Sequence, residues 1–269
     1  MTWIETTSLT FTARHEDGDR TYAEDLLDRL EDLSLKLEDR FEVVPTGIDV
    51  VVHPSPVWLT AAHPFLPAVR WAAAPAGRRY LAGWTMATEV HVLGERAMEK
   101  RAAGEASYEA LRGTAERLYT QLVLAANNEA LPPPWTPLRF LNYLKWAWLI
   151  EGGAQHFARQ VDYFRAAVIR RLREGRRPSF PPSRRDAIIL GGTIFDLLED
   201  YRGGGACELL IGRLRRDGPI ANLEVAFDLR IREVEEMWRD YLRDLARPQA
   251  DATSLPSPEE LLGPMEPEP

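Results

Sequence analysis

The chain has 269 residues, 45% of them apolar and 28% charged, enough for one large domain with a real core. Its formal net charge of −8 disfavours nonspecific binding to nucleic acid or to an anionic membrane. The one cysteine, Cys207, excludes an internal disulfide and a four-cysteine zinc site.

The opening residues Met1-Thr2-Trp3-Ile4-Glu5 carry no basic segment followed by an apolar run, so no signal peptide is expected. No stretch reaches the ~20 apolar residues of a membrane span, so no membrane partner is expected and the cytoplasm is the expected location. Residues 8–14 alternate apolar and polar, which predicts a half-buried strand, and His15 to Asp19 predicts a turn. Thr21 and Glu24 have the spacing of a capping box. Leu26, Leu30, Leu33, Leu37 and Phe41 then recur at helical spacing. Gly47 to His53 is β-branched and predicts a second strand. Residues 57–85 read as a loop, and Thr88 to Leu93 alternates as a third strand.

A long helix is predicted from Ser107 to about Asn127, stopped by Leu131-Pro-Pro-Pro134. Residues 137–150 predict a helix, and a further one runs from Glu151 to about Arg173. More helices are expected near 187–202, 205–216 and 230–246. Strands first and helices later predict an α+β class. The sheet-containing part covers about 1–130 and the mainly helical part about 131–246, in one domain. Residues 247–269 form an acidic, proline-rich tail with little apolar content, expected to be mostly disordered.

The order of elements and one motif resemble the peptidase MA-like family of gluzincin-type zinc metallopeptidases. Trp148-Leu-Ile-Glu-Gly-Gly-Ala-Gln-His156 is similar to that family's second motif, an aromatic residue followed by Leu-x-Glu-Gly-x-Ala. Phe195 to Gly203, the helix near Ala206 and Glu233-Val-Glu-Glu-Met-Trp238 follow in the family's order, so the resemblance covers about residues 8–246. It implies a zincin-like fold, an edge strand beside the cleft at Glu89 to Leu93, and the helix over 107–127 as the place of His-Glu-x-x-His. In that motif two histidines on one helix face bind zinc, the glutamate between them polarises the bound water, and a glutamate on the next helix is the third ligand.

No histidine stands between His91 and His156, so neither zinc-binding histidine is present. One register puts Thr120, Gln121 and Leu124 in the motif's places, and another puts Ala115, Glu116 and Tyr119 there. Glu151 matches the third ligand. It reads either as a remnant contact or as a brace for the next helix paired with an arginine, and the brace is favoured. His156 is five positions on, about 140° around a helix, so the two do not share a metal and His156 reads as a partly exposed packing residue. The resemblance implies zinc, but with the site not intact no metal and no cofactor are expected. The expected function is a non-catalytic binding or structural module. The alternatives are a hydrolase rebuilt around Glu151 with Glu116, Gln121 or His156, and an interaction module.

Other residues give weaker signals. Glu89 and His91 share one face of the third strand and would line a surviving cleft that binds extended peptide; a solvated edge strand is the structural alternative. Arg170, Arg171, Arg173, Arg176, Arg177, Arg184 and Arg185 form a local basic cluster, either an anion, nucleic-acid or partner-protein patch or a solvated loop paired with acids. A peptide or protein partner fits better than nucleic acid. Ser257-Pro-Glu-Glu-Leu-Leu-Gly263, with Leu255 and Met265, is a segment that could dock as a short helix. Cys207 reads as a small buried residue.

Overall fold

The computed structural model describes residues 2–63 and 75–247. The tail segment 257–263, Leu255 and Met265 lie outside the described residues. The fold is α+β, a five-stranded mixed sheet followed by a mainly helical half. The strands are β1 (Trp3–Thr7), β2 (Phe11–Glu16), β3 (Ile48–His53), β4 (Gly83–Thr85) and β5 (Glu89–Leu93), in the order β1-β2-β3-β5-β4. The two outer pairings are antiparallel and the two inner ones parallel.

Helix α1 (Arg20–Glu38) is the crossover between parallel β2 and β3, as such a pair requires. Its buried Leu26, Leu27, Leu30, Leu33 and Leu37 share one core with the sheet face made by Phe11, Ala13, Ile48, Val50, Val52, Val90 and Val92. The helix starts at Arg20, one residue before Thr21, so the Thr21–Glu24 capping box does not form; Asp19 is the cap residue and its side chain bonds no helix amide. Residues 8–10 are a hairpin turn rather than the start of a strand. Glu31 of α1 fastens that turn, accepting from Ser8 Oγ (2.6 Å), Thr10 N (2.7 Å) and Thr10 Oγ1 (2.8 Å). His15 is in β2 rather than in a turn, fully buried, with Nε2 at 2.8 Å from Thr6 Oγ1.

The span expected as a loop at 57–85 holds α2 (Pro56–Ala62), the short α3 (Pro75–Arg78) and strand β4; residues 64–74 of it lie outside the described residues. Strand β4 pairs antiparallel beside β5, so β5 is an interior strand and β4 the edge. Helices α4 (Glu95–Glu99) and α5 (Glu105–Arg112) follow, and α6 (Thr114–Ala126) packs with α1 against the sheet. The single helix expected over 107–127 is thus broken at Gly113. A Cβ there would lie 2.7 Å from Gln160 Cδ, whose amide donates to the Gly113 carbonyl.

Helix α7 (Pro137–Phe157) bends at Trp146 and runs through the boundary expected at 150. A 3-10 turn (Val161–Phe164) and α8 (Arg165–Arg173) come after it, so the helix expected from 151 to 173 is two pieces. Arg159, with φ 54°, turns the chain between them. Then come α9 (Ala187–Arg202), α10 (Ala206–Gly212), α11 (Pro219–Phe227) and α12 (Ile231–Ala246). Helix α10 ends at Gly212 rather than 216, and α11, with Pro219 in its first turn, was not expected. On α12, Val234, Trp238 and Leu242 are buried at four-residue spacing, and Trp238 Nε1 donates to Thr193 Oγ1 of α9 at 2.8 Å. One cluster of buried apolar residues runs from Phe11 to Leu242.

Candidate functional site

Helices α6 and α7 lie side by side, and Glu151 of α7 faces α6, 5% exposed. Tyr143, two turns earlier on α7, donates its hydroxyl to Glu151 Oε1 at 2.9 Å. Gln121 of α6 donates Nε2 to Glu151 Oε2 at 3.3 Å. One turn before Gln121 stands Arg117, 2% exposed, with Nη2 donating to the Tyr80 carbonyl at 2.9 Å. Arg117 Nε and Nη1 have no hydrogen-bond partner among the described residues.

The charges in this knot are coupled. Burial pushes the Glu151 carboxyl above the usual glutamate range, and Arg117, Tyr143 and Gln121 pull it back. Burial lowers the Arg117 guanidinium, and Glu151 opposes that. Burial and then the Glu151 charge push the Tyr143 hydroxyl well up.

Neither expected register of the α6 motif meets Glu151 as a set; the residues that face it are Arg117 and Gln121, at i and i+4. Gln121 is reached by one register, whereas Thr120 bonds back to the Glu116 carbonyl at 2.8 Å and Leu124 is core. Glu116 and Tyr119, of the other register, face α1. Glu116 pairs with Arg29, and the Tyr119 hydroxyl lies 2.9 Å from both Ser34 Oγ and the Pro45 carbonyl. Glu151 is thus bonded once across to α6, through Gln121, and once within α7, through Tyr143.

The donor set does not fit zinc. Glu151 is an ordinary zinc ligand, but the amide of Gln121 is a poor one. The guanidinium of Arg117 has no lone pair to give and stays protonated. Among the described residues, no group of three His, Cys, Asp or Glu is arranged to hold a metal ion.

The edge beside this knot is closed by the chain's own tryptophan. Trp135 stacks on Trp84 of β4 at 4.7 Å and meets Tyr143 edge-on at 5.3 Å. Its Nε1 donates to the Thr85 carbonyl at 2.8 Å, an acceptor on the edge strand. Glu89 and His91 do not lie on an edge strand, because β4 covers that side of β5. Val90 and Val92 point into the core, so His91 emerges on the opposite face of the sheet from Glu151. There His91 Nδ1 lies 3.0 Å from His53 Nε2, and Glu89 Oε2 lies 3.4 Å from His91 Nε2. Burial, with the His91 charge adding to it, lowers His53 to about 4. His53 and His91 line a 410 Å³ hollow with Trp3, Arg14 and Trp58.

His156 is buried, not partly exposed. Its Nδ1 lies 2.7 Å from Asp196 Oδ1 and its Nε2 3.4 Å from Glu199 Oε2, both on α9. Arg40 closes that cluster onto Glu199 at 2.8 Å and onto Glu208. His156 and Glu151 thus serve different contacts. Of the seven clustered arginines, Arg171 is internal and bidentate on Asp186, at 2.6 and 2.9 Å. Arg170, Arg173, Arg176, Arg177, Arg184 and Arg185 are exposed, with Arg177 near Glu235 (3.9 Å) and Arg185 near Glu174 (3.4 Å).

Cys207 is buried, its Sγ 3.3 Å from the Phe195 carbonyl, and burial first and then Glu199 and Glu208 push its thiol far up. Iodoacetamide should leave the native protein unlabelled and label it fully in denaturant; rapid native labelling, read by mass spectrometry, would contradict the packing.

Arg117 and Tyr143 are the members of the knot that the sequence reading missed. The usable signal was spacing: Arg117 is one helical turn before Gln121, and Tyr143 two turns before Glu151. Among the described residues no helix is long and apolar enough to cross a membrane. No family model, no curated protein and no solved structure matches this chain.

Proposed function

We propose that this chain uses a metallopeptidase-like framework, similar to the peptidase MA-like gluzincins, as a non-catalytic binding or structural module. The observation that carries this reading is the closed surroundings of Glu151. In the third-ligand position it is buried, with both carboxylate oxygens bonded by Gln121 and Tyr143 of the chain itself and the Arg117 charge opposing the cost of burial. Trp135, bonded to the edge strand, supports the same reading, since it takes an acceptor that an added peptide strand would use. A hydrolase rebuilt around Glu151 has less support, because both carboxylate oxygens are hydrogen-bonded and the residue is buried. The exposed arginines around 170–185 offer a surface for an acidic protein or peptide partner.

The test is metal content. Protein purified without a metal-binding tag should carry far less than one zinc per chain by mass spectrometry. A chelator should leave its melting temperature unchanged. One chelatable zinc per chain, or peptide cleavage abolished by chelator, would overturn the proposal.

A further inference from the structure

A second polar cluster lies away from the Glu151 knot, in a cleft of about 340 Å³ between α1, the α5–α6 junction and the turn after α7. Its volume is at the low end for small-molecule sites. Its floor is unusual in charge. Glu116, 9% exposed, accepts at Oε1 from Arg29 Nη1, while its Oε2 has no hydrogen-bond partner among the described residues. Arg29 Nη2 is likewise buried without a partner.

Gln160, 3% exposed, leaves Oε1 unpartnered as well. Its amide cannot be turned to hide that oxygen, because the nitrogen must face the Gly113 carbonyl and an oxygen there would repel it. Asp25 fixes the donors in place, accepting from Arg29 Nε at 3.0 Å and from Arg112 Nη2 at 2.8 Å.

At the mouth stand Lys36, Arg159 and Tyr163, all exposed. Arg159 is held in the left-handed region at φ 54°, a backbone state that costs an arginine energy and that the turn alone would satisfy better with glycine. The cleft thus pairs two buried acceptors lacking a donor with one buried donor lacking an acceptor, under a mixed rim that holds Lys36 and Arg159 beside Asp32 and Glu109. Unpaired buried groups of both kinds are costly, and one ligand with both charges relieves them together.

We infer that this cleft binds a small zwitterion, a free α-amino acid or a similar molecule bearing a protonated amine and a carboxylate. The amine meets Glu116 Oε2 and Gln160 Oε1. The carboxylate meets Arg29 and the rim cation Arg159. The exposed side chains of Arg159 and Tyr163 shift to admit it without disturbing the core. The site shares no residue with the Glu151 knot, so this inference stands or falls apart from the metal question.

The test is calorimetry and thermal shift on the full chain with the free proteinogenic L-amino acids at millimolar concentration, beside their N-acetyl and carboxamide forms. At least one free amino acid should bind, and capping either end should weaken binding by about tenfold to a hundredfold. Arg159→Gly should weaken it by about tenfold without lowering the melting temperature, since glycine suits the backbone there. Glu116→Gln should weaken the amine contact, but it also disturbs the Arg29 pair, so Arg159→Gly carries the test. No binding by any free amino acid, as a cleft holding water only would give, overturns the inference. So does equal binding of the capped forms, or unchanged affinity in Arg159→Gly.

Discussion

Arg117→Met is expected to destabilise the protein by roughly 1–3 kcal/mol at neutral pH, because it removes a positive charge that favours the buried Glu151 carboxylate. Methionine keeps most of the side-chain length, so lost packing is a smaller part of the cost. The double variant Arg117→Met/Glu151→Gln should recover most of the loss. Its glutamine can still accept from Tyr143, and no charge remains buried.

The pH dependence gives the sign. A carboxyl raised on folding favours the folded state below its unfolded value and loses that favour as pH rises through its folded value. Burial already raises Glu151, and removing Arg117 raises it further. The penalty in Arg117→Met should therefore shrink toward acid, as Glu151 takes up its proton, and should grow toward neutral pH. Glu116 is also raised, by burial first, and Arg117 interacts with it too, so the double variant, which keeps Glu116, separates the Glu151 share. Urea melts at about pH 5 and about pH 8 read this directly. A penalty that does not change with pH, or a double variant no better than the single one, would show that Arg117 and Glu151 are not energetically coupled.

Gly152→Ala should lower the melting temperature by roughly 10 °C, from about 3 kcal/mol of overpacking in a chain this size. The backbones of α7 and α9 touch at Gly152 and Gly191. A Cβ on Gly152 would lie 2.8 Å from the Gly191 Cα, with the Gly191 carbonyl closer still. A Cβ on Gly191 would lie 2.5 Å from the Trp148 carbonyl oxygen. Backbone cannot swing aside as a side chain does, so the helices must part and loosen the core around Trp148 and Phe195. Gly204→Ala is the control, since a Cβ there meets nothing within 4 Å and it should melt within about 2 °C of the parent. Equal melting of the two variants would refute the close approach.

The α+β class was legible because it needs only the order of local patterns. The apolar spacing of α1, the β-branched run at Ile48–His53 and the proline stop after α6 each act within a few residues. Strand β1 was not legible, since its residues are exposed or half-buried and it exists through pairing with β2. Strand β4 was hidden in the same way. Its three residues are too few for periodicity, and its pairing with β5 is what removed Glu89 and His91 from an edge.

The candidate site divides along the same line. By its sequence alone the chain fixed that no histidine pair stands on α6 and that Glu151 interrupts an apolar run on α7. Which residues of α6 meet Glu151 was decided by tertiary structure. One residue of shift turns a helix about 100°, and α6 is buried on every side from Thr114 to Ala125, so it has no polar face to reveal its phase. Only the packing of α6 between the sheet, α1 and α7 sets that phase, turning Arg117 and Gln121 to Glu151 and Glu116 to Arg29.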